Sequence, residues 1–142
     1  SPKGAPIRYK MEAAISASSL VCTAQDYGKF AAIIANPPAP SDVYLKPESL
    51  ERIFTPYIEA GPQIQWGLGW GLQVPANEPA TYFHWGNNVN AYHSFVVVNP
   101  KSGDGAVVMT NSGNGLRACA DIIPKAVLGD HPALRWNRVV QR

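Results

Sequence analysis

The stretch from Tyr92 to Thr110 constrains this chain's fold more than any other. Tyr92 to Val98 is rich in aromatic and β-branched residues, Asn99-Pro100-Lys101-Ser102-Gly103 interrupts it, and Ala106 to Thr110 resumes the extended pattern. Branched and aromatic side chains suit a pleated surface, whereas Asn, Pro, Ser and Gly turn the chain. The stretch therefore predicts a β-hairpin. Two more extended segments precede it. Gln65 to Val74 alternates Trp66, Leu68, Trp70, Leu72 and Val74 with Gly67, Gly69, Gly71 and Gln73. That predicts one strand, bulky on one face and nearly bare on the other, against which something packs closely. Thr81 to Gly86 predicts another, with Tyr82, His84 and Gly86 on one face.

Helical signals flank this extended block. Thr23-Ala24-Gln25-Asp26 has the form of a capping box, in which Thr23 accepts from the Asp26 N–H and the Asp26 carboxylate reaches back. The helix it opens runs to about Ala35, with Tyr27, Phe30, Ala31 and Ile34 on one stripe, and Pro37-Pro38 stops it. A proline-rich connection, Asn36 to Ser41, leads to a short helix at Pro47-Glu48-Ser49-Leu50. Residues 55–63 read as loop. Gly115 to Leu128 reads as a closing helix with Leu116, Ala120, Ile123 and Val127 inward. Helices and strands segregated in this way predict an α+β fold. The expected architecture is an antiparallel meander of about four strands packed with N-terminal and C-terminal helices. Residues 1–142 form a single unit: 1–62 mainly helix and loop, 63–112 sheet, 113–128 closing helix, 129–142 tail.

Composition narrows the function. A chain of 142 residues is about one domain. Charged residues are 15%, against roughly 25% in an ordinary soluble domain, and 13 prolines and 12 glycines point to many turns. Low charge of this kind suits a surface that meets something else. The formal net charge is +2 with scattered basic residues, the densest being Arg135, Arg138 and Arg142. Nucleic-acid binding needs a basic stripe with interleaved aromatics, so none is expected. No apolar run reaches the roughly 20 residues of a membrane span, and Ser1-Pro2-Lys3-Gly4 opens no signal peptide. Cys22 and Cys119 have no metal spacing and read as reduced core residues. His84, His93 and His131 show no ligand spacing. No metal and no cofactor are expected.

The chemically informative block is Phe83-His84-Trp85-Gly86-Asn87-Asn88. A strand ends in His-x-Gly and enters an Asn-rich loop, and a glycine at a strand end lets a ligand approach the backbone. By spacing alone, a single histidine on a strand is more often structural than catalytic.

Four segments in order resemble the penicillin-recognising serine hydrolases, the group of class C β-lactamases, DD-peptidases and related esterases. Ser19 to Tyr27 is similar to their "aGGL-x-STa-x-Dla-x-F" stretch and Trp66-Gly67-Leu68-Gly69-Trp70 to their "YGLGW" segment. Phe83-His84-Trp85-Gly86 resembles their Lys/His-x-Gly motif, and Val107-Val108-Met109-Thr110-Asn111 their "vvvltN" strand. The resemblance implies the C-terminal part of a hydrolase that forms an acyl-enzyme on an amide or ester: a β-lactam, a D-Ala peptide or a short ester. It places His84 in the site, assisting substrate anion recognition and proton traffic. Gly86 would keep the strand edge open, and the Asn87 backbone N–H would supply half of an oxyanion hole. Trp85, Asn88 and Asn114 would contact substrate, although Asn114 also reads as a helix N-cap.

The departures are equally plain. None of Ser16, Ser18, Ser19, Ser41, Ser49, Ser94, Ser102 and Ser112 is followed three residues later by lysine, and no Tyr-x-Asn occurs. The family nucleophile, in Ser-x-x-Lys, would lie outside this chain, which alone would be inactive. Its partners would be a small-molecule or peptide substrate and either the N-terminal part of the same protein or a second copy at an exposed sheet edge. Two other readings stand beside this one. One is a non-catalytic homologue, and the other a glycan- or peptide-binding module using Trp66, Trp70 and Trp85.

Overall fold

The structure, a computed structural model, describes residues 13–37, 45–88 and 91–136. The reading of residues 1–12 as loop, the Pro38–Ser41 part of the connection and the end of the tail lie outside these. The chain is α+β. Helices α1 (Ala24–Ala35) and α2 (Pro47–Phe54) are followed by six strands, β1 (Ile58–Gly61), β2 (Ile64–Trp66), β3 (Gly71–Gln73), β4 (Thr81–Asn88), β5 (Tyr92–Asn99) and β6 (Asp104–Thr110). Helix α3 (Gly115–Ala126) and a 3-10 turn at Pro132–Arg135 close the order. The sheet is an antiparallel meander in sequence order, β1 to β6.

Local chemistry accounts for the helix ends. Thr23 caps α1: its hydroxyl accepts from the Asp26 N–H at 3.1 Å and donates to the Asp26 carboxylate at 2.8 Å. Such a cap typically contributes about 1 kcal/mol. At the other end the Asn36 N–H donates to the Ala32 carbonyl before Pro37. Helix α2 has no side-chain cap and begins with proline in its first turn.

The alternation of β5 sorts the core into two layers. Phe95 and Val97 face one side of the sheet, where Phe83, Val108, Cys119 and Ile123 join them. Val96 and Val98 face the other, against Ala31, Ile34, Ala35, Leu50 and Trp70. Phe83, Phe95, Val97 and Val98 are essentially inaccessible, and burying each contributes about 1.5–3 kcal/mol. Helix α1 thus covers one face and α3 the other, with β5 buried on both.

The sheet has two more strands than the sequence suggests, for two reasons. Gln65–Val74 is not one strand but a hairpin, β2–β3, with Trp66 opposite Gly71. The turn between them uses Gly69 at φ +83, a left-handed conformation that favours glycine. It also brings Gly67 against the end of α2, where the Leu68 N–H donates to the Ile53 carbonyl at 3.0 Å. Alternation in the sequence persists through the turn, which is why it resembles one long strand. Likewise part of the 55–63 loop is β1, which turns back at Gln63, φ 61, onto β2.

The closing helix ends at Ala126, with Pro124 inside its last turn. The segment beyond it is core. His131, Pro132, Ala133 and Leu134 are buried, and Ala133 and Leu134 belong to the cluster beneath α3. Both cysteines are free: Cys119 is buried, whereas Cys22 precedes α1 and is only half-buried.

Candidate active site

Strand β4 outruns its neighbour. Strand β3 ends at Gly71, opposite Phe83, whereas β4 stays paired with β5 from Tyr82 to Asn88. Among the described residues, His84 to Asn88 therefore form a strand edge with a ladder partner on one side only. A cleft of about 490 Å3 lies over this edge. Its floor follows from the register: His84 lies opposite Val96, Gly86 opposite Ser94, and Val107 and Met109 continue the two rows onto β6. The segment before α1 supplies Ser16, Ser18, Leu20 and Cys22, and the helix adds Tyr27 and Phe30.

Each residue singled out by the sequence has a definite place. His84, Trp85, Gly86 and Asn88 line the cleft. A Cβ on Gly86 would meet the Ser94 Oγ at 2.8 Å, so glycine keeps this part of the floor low. Asn87 faces His93 in the ladder, and alternation sends its side chain to the α3 side. Only its backbone remains a candidate for the site. Asn114 does not line the cleft. It stands exposed at the N-cap of α3, makes no side-chain cap bond, and its N–H donates to the Ser112 Oγ at 3.2 Å.

The three histidines differ in kind. His93 is buried on the opposite face, with Nδ1 2.7 Å from the Ser112 carbonyl oxygen. His131 is buried in the C-terminal segment. His84 alone opens to the cleft, with Nδ1 3.0 Å from the Trp85 carbonyl oxygen. A carbonyl oxygen only accepts, so Nδ1 carries the hydrogen and Nε2 of the neutral ring keeps its lone pair. Trp66 packs edge-on at 5.7 Å and Trp85 stacks at 5.8 Å. Desolvation by this packing lowers the His84 pKa from 6.5, and the Trp85 carbonyl acts in the opposite direction. Burial raises the Tyr27 phenol above 10, with Cys22 adding to the shift, so the phenol stays protonated at neutral pH.

The lowered His84 pKa has a measurable consequence. The unfolded imidazole takes up its proton near pH 6.5, and the folded one only below that. The fold is thus fully favoured above pH 6.5 and loses stability as pH falls below it. Between pH 7.5 and 5.5 the urea midpoint of the wild type should fall further than that of His84→Gln. Equal falls would show that His84 titrates as it does in the unfolded chain.

The tryptophans form no open platform. Trp70 is buried against Phe54 and near Phe30, while Trp66, Trp85 and Trp136 pack mutually at 5.4–6.2 Å. Among the described residues no three His, Cys, Asp or Glu side chains gather as metal ligands. No described helix is long and apolar enough to cross a membrane.

The model of the Beta-lactamase family matches residues 1–127. The chain belongs to that family. No curated protein matches it. As a β-lactamase-family domain it is of the hydrolase kind in general. The four segments that carry the family pattern fall around the cleft or just behind it. They are the approach to α1, the β2–β3 turn, the edge of β4, and β6. The contribution of Ser94 was not apparent from its local sequence, because only the β4–β5 register places it opposite Gly86. Ser16, Ser18, Cys22 and Tyr27 likewise reach the cleft through the packing of α1 on the sheet.

Proposed function

We propose that this chain supplies one wall of the active cleft of a serine hydrolase that cleaves an amide or ester bond through an acyl-enzyme. The nucleophile, in a Ser-x-x-Lys motif, comes from outside residues 1–142. The observation that carries this reading is the reach of β4 past the end of the β3–β4 ladder, which brings His84, Gly86 and Asn88 to a cleft floored by Gly86 and Ser94. An extended substrate can lie along that stretch of the strand, using main-chain hydrogen bonds.

In the reaction the serine hydroxyl, losing its proton to a base, adds to the substrate carbonyl. The alcohol or amine leaves with a proton, and water then hydrolyses the acyl-serine to return the acid and the free enzyme. The backbone N–H of Asn87, just past Gly86, is the oxyanion donor of this reading. His84, with its Nε2 lone pair, accepts a hydrogen bond or a proton at the cleft wall.

The N-terminal part of the same protein completes the domain. Among the described residues strand β6 ends the sheet, and Met109 is partly exposed on it. In the isolated chain such an edge favours pairing with a second copy. The test is covalent labelling with a fluorophosphonate and a fluorescent penicillin, on the full-length protein and on residues 1–142, with size-exclusion chromatography of the latter. The full-length protein should be labelled, and the isolated chain should be unlabelled and self-associated. Absence of label on both would mean that the family fold is kept without its chemistry.

A further inference from the structure

The family match ends at residue 127, yet the chain beyond it reaches the back of the cleft wall. The 3-10 turn Pro132–Arg135 is fixed by contacts of its own. Ala133 and Leu134 are buried in the cluster beneath α3, and the Ala133 N–H donates to Gln73 Oε1 at 2.9 Å. Trp136 closes this turn, its N–H donating to the Ala133 carbonyl at 3.2 Å. Its indole occupies room left by a glycine: a Cβ on Gly61 of β1 would meet Trp136 Nε1 at 2.9 Å.

From that slot the indole meets two rings, Trp66 at 6.2 Å and Trp85, edge-to-face, at 5.4 Å. The same two rings contact each other at 5.7 Å and His84 at 5.7 and 5.8 Å. The His84 ring therefore rests on two indoles, and both of those rest on a third. Edge and offset contacts at such separations fix how rings are tilted as well as how close they lie. The bond from His84 to the Trp85 carbonyl holds one ring atom, and the indoles limit how the ring tilts about it. Phe83 also packs against Trp66 and Trp85, so the cluster survives without Trp136 but is held less firmly.

Resting on the acyl-transfer reading above, we infer that Trp136 is a positioning residue of this site, holding the His84 ring at the cleft wall through Trp66 and Trp85. The segment past residue 127 is then part of the site's support. A reacting group keeps its geometry only when the side chains behind it are themselves locked by packing.

The full-length protein can be assayed with 4-nitrophenyl acetate. Trp136→Ala should lower kcat roughly tenfold with little change in KM, since a small misplacement of a reacting group is costly. Trp136→Phe should restore most of the loss. Arg135→Ala removes the ion pair with Asp130 in the same turn and leaves the indole in place, so its kcat should match wild type. In a double-mutant cycle, Trp136→Ala should cost little more once His84 is already Gln. Full additivity, or an unchanged kcat in Trp136→Ala, overturns the inference. A second readout needs no turnover: the ring C–H proton resonances of His84, shifted by the neighbouring indoles, should move in Trp136→Ala while those of His93, on the opposite face, stay. His84 resonances that do not move overturn the inference even if the ester is not hydrolysed. Should Trp136→Ala fail to fold, Trp136→Leu, which fills more of the slot without a ring, decides by the same readouts. Absence of both hydrolysis and fluorophosphonate labelling in the wild type counts against the acyl-transfer reading alone.

Discussion

Replacing Gly67 with alanine is expected to destabilise the fold by about 3 kcal/mol or more, near the upper end for overpacking. A Cβ at this position would overlap the Ile53 carbonyl oxygen and lie 3.1 Å from that of Thr55. Both are backbone atoms at the end of α2, so no side chain can swing aside. The Ile53 carbonyl also accepts from the Leu68 N–H, and pushing α2 away would break that bond as well. The check is a urea titration followed by circular dichroism, with Gly86→Ala for comparison. At Gly86 the obstacle is only the Ser94 hydroxyl, which can rotate, so the comparison variant should stay close to wild type in stability. A loss below about 1 kcal/mol at Gly67 would mean that α2 is not held against the β2–β3 turn.

Gln73→Leu should have an effect of similar size for a different reason. Gln73 is fully buried, and each end of its amide is used. Nε2 donates to the Thr81 hydroxyl at 2.9 Å and lies 3.3 Å from His131 Nδ1, while Oε1 accepts from the Ala133 N–H at 2.9 Å. His131 Nε2 in turn lies 2.9 Å from the Val127 carbonyl oxygen. Since that oxygen only accepts, Nε2 carries the hydrogen and Nδ1 is free to accept from Gln73. This network ties the C-terminal segment to β3. Leucine fills the space but leaves the Ala133 N–H and His131 Nδ1 unpaired in the core. Each such group costs about 1–3 kcal/mol, so the expected loss is about 3–5 kcal/mol. Hydrogen exchange should accelerate most in residues 127–136. In a double-mutant cycle, Gln73→Leu with His131→Leu should cost less than the sum of the single changes, because one orphaned partner is removed. Strict additivity would show that the two side chains do not share a network.

The two predictions fall where the local sequence was least informative, and the same physics explains both. The cap at Thr23, the stop at Pro37, the hairpin through Asn99 and Gly103 and the alternation of β5 are decided by neighbours a few residues apart. They were accordingly legible. The β2–β3 hairpin was not, because a Trp-Gly alternation looks the same in one strand as in two strands joined by a tight turn. What separates the cases is the approach of Gly67 to α2, a contact across 14 residues of chain. The core role of His131 to Leu134 was hidden for a like reason. Gln73 reads as an ordinary polar residue until Ala133 and His131 are brought to it.

The site divides along the same line. His84, Trp85, Gly86 and Asn88 could be picked out as residues of one strand, and the structure gathers them at one cleft. Asn114, whose two readings the sequence left open, stands at the N-cap of α3 and away from the cleft. The sequence by itself determined the α+β class, the three helices, the β5–β6 hairpin and the His-x-Gly strand end, since each depends on local propensity and periodicity. Only the tertiary structure decided that β3 stops short of β4, that Ser94 lies beneath Gly86, and that the His84 Nδ1–H is held by the Trp85 carbonyl. The first two depend on strand register, and the third, a contact between adjacent residues, on the orientation of the His84 ring against Trp66.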